Sequence, residues 1–468
     1  MAQNASGKKP MLGVFALAMI NVVIIASLRA LPLMAEEGFS LVFFFLAAAF
    51  IFLIPSALVS AELATGWPKT GGVYVWTKEA FGERYGFLAI WLQWIQNVIW
   101  YPIALSFIAA TIAYVFNPTL ANNKFFVLIV ILTVYWAATF ANFCGIKISG
   151  LISISCGLAG TILPAVLTIV LGIVWLVIGR TPQISFSSQS LFPDMSHVRN
   201  IVFLAGVLLT YAGMEVSAVH AQEVKDPQRN YPRAIFIATL IVLAMFILGS
   251  LSVAIVIPQK QISLVAGLME AFTVFFATYN LKWAIPIIAL LITLGAMGQV
   301  SSWIIGPSKG LLVAARDGNL PPLLQHVNSR GVPIHILIAQ AIIVTLISLV
   351  FLFMPTVSSS YWILTALTIQ LYLIMYILMF AAAIKLRYSK PEVNRAYRIP
   401  GKNFGMWLVA GIGISGALFA IIIGFFPPSQ LPTGNLFFFE AFLGLGITIM
   451  CAAPLLIYQF RRPQWVQK

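Results

Sequence analysis

Glu215 stands two residues past Gly213 inside the apolar run 198–222, and Arg29 stands three residues before Pro32 inside another, 11–34. A charge at membrane depth costs a few kcal/mol or more, so such residues face a polar cavity or a partner. Glycine weakens a helix by roughly 1 kcal/mol relative to alanine, and proline removes a backbone donor. Each run therefore reads as a helix meant to break, at residues 26–32 (ASLRALP) and 211–215 (YAGME). A break leaves free N–H groups at the start of one half-helix and free C=O groups at the end of another. The first suit a carboxylate and the second an ammonium. An amino-acid zwitterion supplies both. Its carboxylate is expected near Ile25, Ala26, Ser27 and Leu28, and its ammonium near the carbonyls of Tyr211, Ala212 and Gly213.

Other residues could join this site. The planar fork of Arg29 suits a second carboxylate, although the side chain could equally snorkel outward or pair with Glu36, Glu37 or Glu215. Glu215 is the residue expected to couple proton uptake to gating, set against a purely hydrogen-bonded carboxylate at the break. Gln93, Gln96 and Asn97 give one helix an amide-bearing surface that either lines a path or holds helices together. Gln299 and Trp303 lie one turn apart in a third apolar run. Tyr372 and Tyr376 share a helix face and could close over a bound zwitterion. The four histidines and three cysteines show no ligand spacing, so no metal, cofactor or disulfide framework is expected.

The elements that must position these residues are legible from hydropathy. The 468 residues are 61% hydrophobic and 9% charged, too few charges to cover a water-exposed surface. Apolar stretches of the length a bilayer requires lie near 11–34, 41–65, 86–116, 124–145, 148–179, 198–222, 233–257, 284–315, 333–354, 359–387, 405–426 and 434–460. The interval 259–283, with Met269, Phe272, Phe275 and Phe276 near helical spacing, reads as an interfacial helix. The net charge of +14 is topological, not a nucleic-acid patch: 21 of the 27 Lys and Arg fall on the side of the N-terminus, five fall opposite, and Arg29 lies in a span. The positive-inside rule then places both termini in the cytoplasm. The start of the chain mimics a signal peptide, but losing it would leave an odd number of spans. The tail after about Tyr458 reads as too short to plug the cytoplasmic mouth.

The two interrupted spans are the first and the sixth. A repeat of five spans enters the bilayer from the opposite side in its second copy, so the copies are inverted. The expected fold is thus a single all-α integral membrane domain over 1–468 with twelve transmembrane helices. Residues 11–179 and 198–387 form a five-plus-five inverted repeat with helices 1 and 6 broken, and two helices trail at 405–460.

Specific motifs agree. GME at 213–215, DPQR at 226–229 and PRA at 232–234 resemble the sixth-span signature of amino acid–polyamine–organocation transporters. Glu62 followed by PKTGGVY at 68–74, and WIIGPS at 303–308 followed by ARDGNLP at 315–321, are similar to that superfamily's other motifs. FSLVF at 39–43 and Ser302-Trp303 resemble the bacterial glutamate/γ-aminobutyrate antiporter branch. The resemblance covers nearly the whole chain. It implies alternating access, amino acids as substrates, exchange or proton-coupled uptake, and a bacterial inner membrane. By position it makes 26–28 and 211–215 the broken segments and Glu215 the titratable gate. Two departures bear on the substrate: neutral Gln299 stands where the branch can place a carboxylate, and Arg29 is an added cation.

The expected function is secondary antiport of glutamate/γ-aminobutyrate-type amino acids. A proton-coupled permease for another neutral or acidic amino acid is the alternative. A channel would show a repeated filter or charged rings, a membrane enzyme a catalytic cluster at depth, and an ATP-driven pump a GxxxxGK[ST] loop; none is present in the sequence.

Overall fold

The computed structural model describes residues 13–69, 71–143, 158–217, 226–429, 431–432 and 434–466. Lys8, Lys9, Cys144, Lys147, Cys156, His220 and Lys225, which the sequence reading used, lie outside the described residues. The helices follow in order as α1 Val14–Ile25, α2 Ala30–Ala35, α3 Gly38–Gly66, α4 Val73–Phe81, α5 Glu83–Phe116, α6 Lys124–Phe143, α7 Ala159–Val177 and α8 Phe203–Tyr211. They continue as α9 Met214–Ser217, α10 Pro227–Ala254, α11 Gly267–Thr278, α12 Ile285–Ala314, α13 Ile334–Phe353, α14 Val357–Ser389, α15 Lys402–Gly424 and α16 Leu436–Gln459.

Ten helices among the described residues are long and apolar enough to cross a bilayer. The two interrupted runs are absent from that set because each is split: α1 and α2 flank 26–29, and α8 and α9 flank 212–213. Gly213 has φ +119°, a backbone that side-chain-bearing residues rarely adopt, so the glycine fixes where the sixth run breaks. Pro32 sits inside the first turns of α2, not at the break itself.

The most enclosed spanning helix among the described residues is α5, with 83% of its most apolar stretch buried; α16, at 11%, forms the periphery. Close approach elsewhere depends on small residues. A side chain at Gly160 of α7 would come within 2.5 Å of Gly295 of α12, so this crossing tolerates only paired glycines.

Interior prolines create docking points. A helical proline cannot donate to the carbonyl four residues earlier, and a neighbouring helix fills the vacancy. Pro307 frees the carbonyl of Trp303, which accepts from Asn97 Nδ2 at 3.1 Å and Tyr101 Oη at 2.9 Å. Pro454 frees that of Met450, which accepts from Trp91 Nε1 at 3.0 Å. These bonds tie α12 and α16 to α5.

Two regions take on partners that hydropathy does not show. The helix at Gly267–Thr278 is shorter than a span, as expected, and Met269, Phe272, Phe275 and Phe276 are buried against the bundle. The short tail also docks. Arg461 Nη1 meets Glu83 Oε2 at 2.6 Å, Gln325 Nε2 donates to the Trp465 carbonyl at 2.7 Å, and Val466 packs on Gly318. A few residues suffice because the charged end of α5 and the 315–325 turn supply ready partners.

Candidate functional site

Both breaks open on one cavity of about 40 Å³. Ile25, Ser27, Arg29, Gln96, Asn97, Gln299, Trp303, Ala212 and Tyr372 line it, all expected from the sequence, together with Trp100, Leu209 and Thr210, which were not. Trp100 was within reach of spacing, since it follows Gln96 by one turn on the same face of α5. The volume admits a few waters.

Ser27, Leu28 and Arg29 precede the first turn of α2, and among the described residues their amides meet no backbone acceptor. Leu28 faces an adjoining small cavity that also touches Ser27, Arg29 and Gln299. Ala26 contributes its carbonyl, which accepts from Gln299 Nε2 at 3.1 Å, while Ser27 Oγ donates to Gln299 Oε1 at 3.4 Å. The neutral amide thus bridges α12 to the first break, using donor and acceptor at once as a carboxylate could not.

Across the cavity, α8 stays helical through Tyr211, so the break begins one residue later than the sequence reading placed it. The wall is formed by Leu209, Thr210 and Ala212 rather than by Tyr211 and Gly213. Tyr211 turns away, its hydroxyl donating to the Phe45 carbonyl at 3.2 Å. The Gly213 N–H donates to Tyr376 Oη at 2.9 Å.

Glu215, 3% exposed, sits outside the cavity in a cage of neutral donors. Gln93 Nε2 donates at 3.0 Å, and the hydroxyls of Tyr372 and Tyr376 donate to opposite carboxylate oxygens. Gln93 and Tyr376 therefore serve the carboxylate rather than the cavity wall. Tyr372 does both, so among the described residues it is the cavity-lining side chain that bonds Glu215.

Arg29 carries the only formal charge among the described residues lining the cavity. It is 9% exposed, its guanidinium carbon lies 5.2 Å from the centre of the Trp100 ring, and Nη1 donates to Tyr361 Oη at 3.4 Å. Its Nε has no hydrogen-bond partner, and among the described residues no carboxylate pairs with it. The pairings with Glu36, Glu37 or Glu215 and the outward snorkel open to it in the sequence are not those adopted.

No group of three metal-capable side chains gathers among the described residues. His326 and His335, unpaired by sequence spacing, do approach, with ring centres 5.6 Å apart.

Residues 11–449 match the family model described as amino acid permease. An uncharacterised transporter of Legionella pneumophila is 51% identical over 95% of this chain and 96% of its own length. A glutamate/gamma-aminobutyrate antiporter of Lactococcus lactis is 33% identical over 92% of this chain and 86% of its own. A probable agmatine/putrescine antiporter of the same species is 25% identical over 83% and 81%. A match over nearly the whole length, on a helical membrane scaffold whose two broken segments meet at one cavity, places this chain in the amino acid permease family.

Proposed function

We propose that the protein is a secondary antiporter exchanging amino acids of the glutamate/γ-aminobutyrate type across a bacterial inner membrane, with both termini cytoplasmic. The architecture in this reading is the twelve-helix, five-plus-five inverted repeat: 11–179 and 198–387 as the repeats, 405–460 as the trailing pair. The observation that carries the substrate class is Arg29. A buried guanidinium without a carboxylate is a standing cost, and an anionic substrate group removes it.

The substrate's α-carboxylate meets the amides of Ser27 to Arg29, its ammonium the carbonyls at the end of α8, and a side-chain carboxylate the fork of Arg29. Trp100 and Trp303 bracket the aliphatic part. Protonation of Glu215 adds a donor where three donors already point, so the hydroxyl hydrogen of Tyr372 or Tyr376 must swing away and its oxygen accept instead. Tyr376 Oη already accepts from Gly213 at the sixth break, and Tyr372 lines the cavity, so either change reaches an element of the site. Proton occupancy and gating are coupled in this way. The alternating-access step is the separation of helices that enlarges the cavity.

The test is uptake of labelled glutamate and γ-aminobutyrate into proteoliposomes with or without unlabelled amino acid inside, at acidic and neutral pH. Uptake confined to loaded vesicles supports exchange. Equal uptake into empty vesicles under a proton gradient replaces this reading with a proton-coupled permease.

A further inference from the structure

A second cavity, of about 470 Å³, lies at the basic end of the bundle between α5, α12, α13 and α16, far larger than the one at the helix breaks. Its walls include Trp91, Trp94, Leu311, Ile343, Leu456 and Trp465. Two of the three indoles have spent their donor elsewhere: Trp91 Nε1 on the Met450 carbonyl, and Trp94 Nε1 on Gln340 Oε1 at 2.9 Å. Water needs two to four polar partners to settle in a cavity, and these walls offer almost none. Left empty, a space this size forfeits dispersion contacts along every wall. Hydrocarbon is the occupant that fits.

The open side shows where it comes from. Leu456 and Phe460 line the cavity yet are 53% and 72% exposed, on the peripheral helix that faces the bilayer. Charged residues follow directly on the lining in sequence. Arg461, next to Phe460, pairs with Glu83 at the start of α5, and their sequence neighbours Arg462 and Arg84 are both exposed and, among the described residues, without an ion pair. Arg84 precedes Trp91 by two helical turns, so both lie on one face of α5. Paired arginines suit a phosphate diester, and basic pockets between transmembrane helices take anionic head groups.

We propose that an anionic phospholipid binds here, one acyl chain in the cavity beneath Trp465 and its phosphate on Arg84 and Arg462. This lipid packs directly against α12, the helix carrying Gln299 and Trp303, so it stands where it can influence that helix's movement. The proposal rests on the protein being a membrane protein, not on which substrate it carries.

Native mass spectrometry of the purified full chain, with phosphatidylglycerol or phosphatidylcholine added back to detergent, tests it. One phosphatidylglycerol per chain is expected, retained at least tenfold better than phosphatidylcholine. Ala339→Trp, which fills the cavity from α13, should reduce retention about tenfold. Arg84→Gln with Arg462→Gln should abolish the preference for phosphatidylglycerol while leaving phosphatidylcholine unchanged. If Ala339→Trp does not fold, Ile343→Phe gives the same reading. Undiminished retention in the filled variants, equal retention of the two lipids by the unmutated protein, or a dimer that Ala339→Trp dissociates would each overturn the proposal, the last in favour of a second copy of the chain.

Discussion

Two arginines are buried to nearly the same degree, Arg387 at 8% and Arg29 at 9%, and their surroundings could hardly differ more. Arg387 grips Glu62 with two nitrogens, Nε to Oε1 at 2.5 Å and Nη2 to Oε2 at 2.6 Å. Glu62 also accepts from the Ile399 amide at 2.8 Å, and Arg387 donates to the Ile399 carbonyl at 3.1 Å. Arg395 Nε lies 3.6 Å from the same carboxylate and its Nη2 donates to the Leu386 and Lys390 carbonyls, and the result is a clamp holding the 390–400 connection to α3. Arg29 has an aromatic face, one long bond to a tyrosine and an unused Nε. A complete buried pair fixes a structure; an incomplete one waits for a ligand.

The comparison can be broken from either side. The largest effect is expected from Arg387→Met, which leaves the buried Glu62 carboxylate only Arg395 Nε at 3.6 Å and the Ile399 amide, at a cost of up to about 3–5 kcal/mol. Thermal unfolding and yield of purified protein would register it, and a wild-type midpoint would show that the clamp is dispensable. Arg29→Gln should change that midpoint little, because the guanidinium gives the fold only the Trp100 face and one long bond to Tyr361 among the described residues. Exchange of acidic amino acids should fall roughly 10- to 100-fold, about 1.4–3 kcal/mol, with neutral ones spared. Equal loss for both classes would make Arg29 structural after all.

Smaller effects sharpen the contrast. Glu215→Gln replaces the caged carboxylate by a neutral group, so exchange should persist with a flattened pH dependence. A variant that keeps the wild-type pH profile would remove Glu215 from the coupling. Glu36, between α2 and α3, is pushed up to about 9 by burial, then by Glu37 and Glu270. The folded protein therefore holds a proton that the unfolded chain releases near 4.5. That contribution to stability is complete below the unfolded value and is lost as pH rises toward the folded one. The thermal midpoint should decline from acidic to alkaline pH. Glu36→Gln should lessen the decline, by a few degrees at alkaline pH and by nothing at acidic pH.

The periodic and breaker signals are local, and the sequence carried them well. Hydropathy located ten spans that the structure retains as continuous helices, and Gly213 marked the sixth-run break to within a residue. The aromatic helix at 267–278 is recognisable as shorter than a span, but what covers its apolar stripe is not, because such a stripe looks the same whether protein or lipid lies on it. The docking of the tail depends on Glu83 and Gln325, more than a hundred residues away in the chain, so length alone does not reveal it.

At the site, residue types settled which side chains were costly enough to demand a reason: a carboxylate and a guanidinium in apolar runs, amides on α5, tyrosines one turn apart on α14. Their assignments to one another came only from tertiary structure. Tyr372, Tyr376 and Gln93 close around Glu215 across 122 to 161 residues of chain, and Gln299 reaches Ala26 across 273. The price of burying a polar group is written in its own chemistry and its apolar neighbours in sequence. Which partner relieves it, and that Arg29 meets no carboxylate among the described residues, depends on how separate helices pack, which no local pattern encodes.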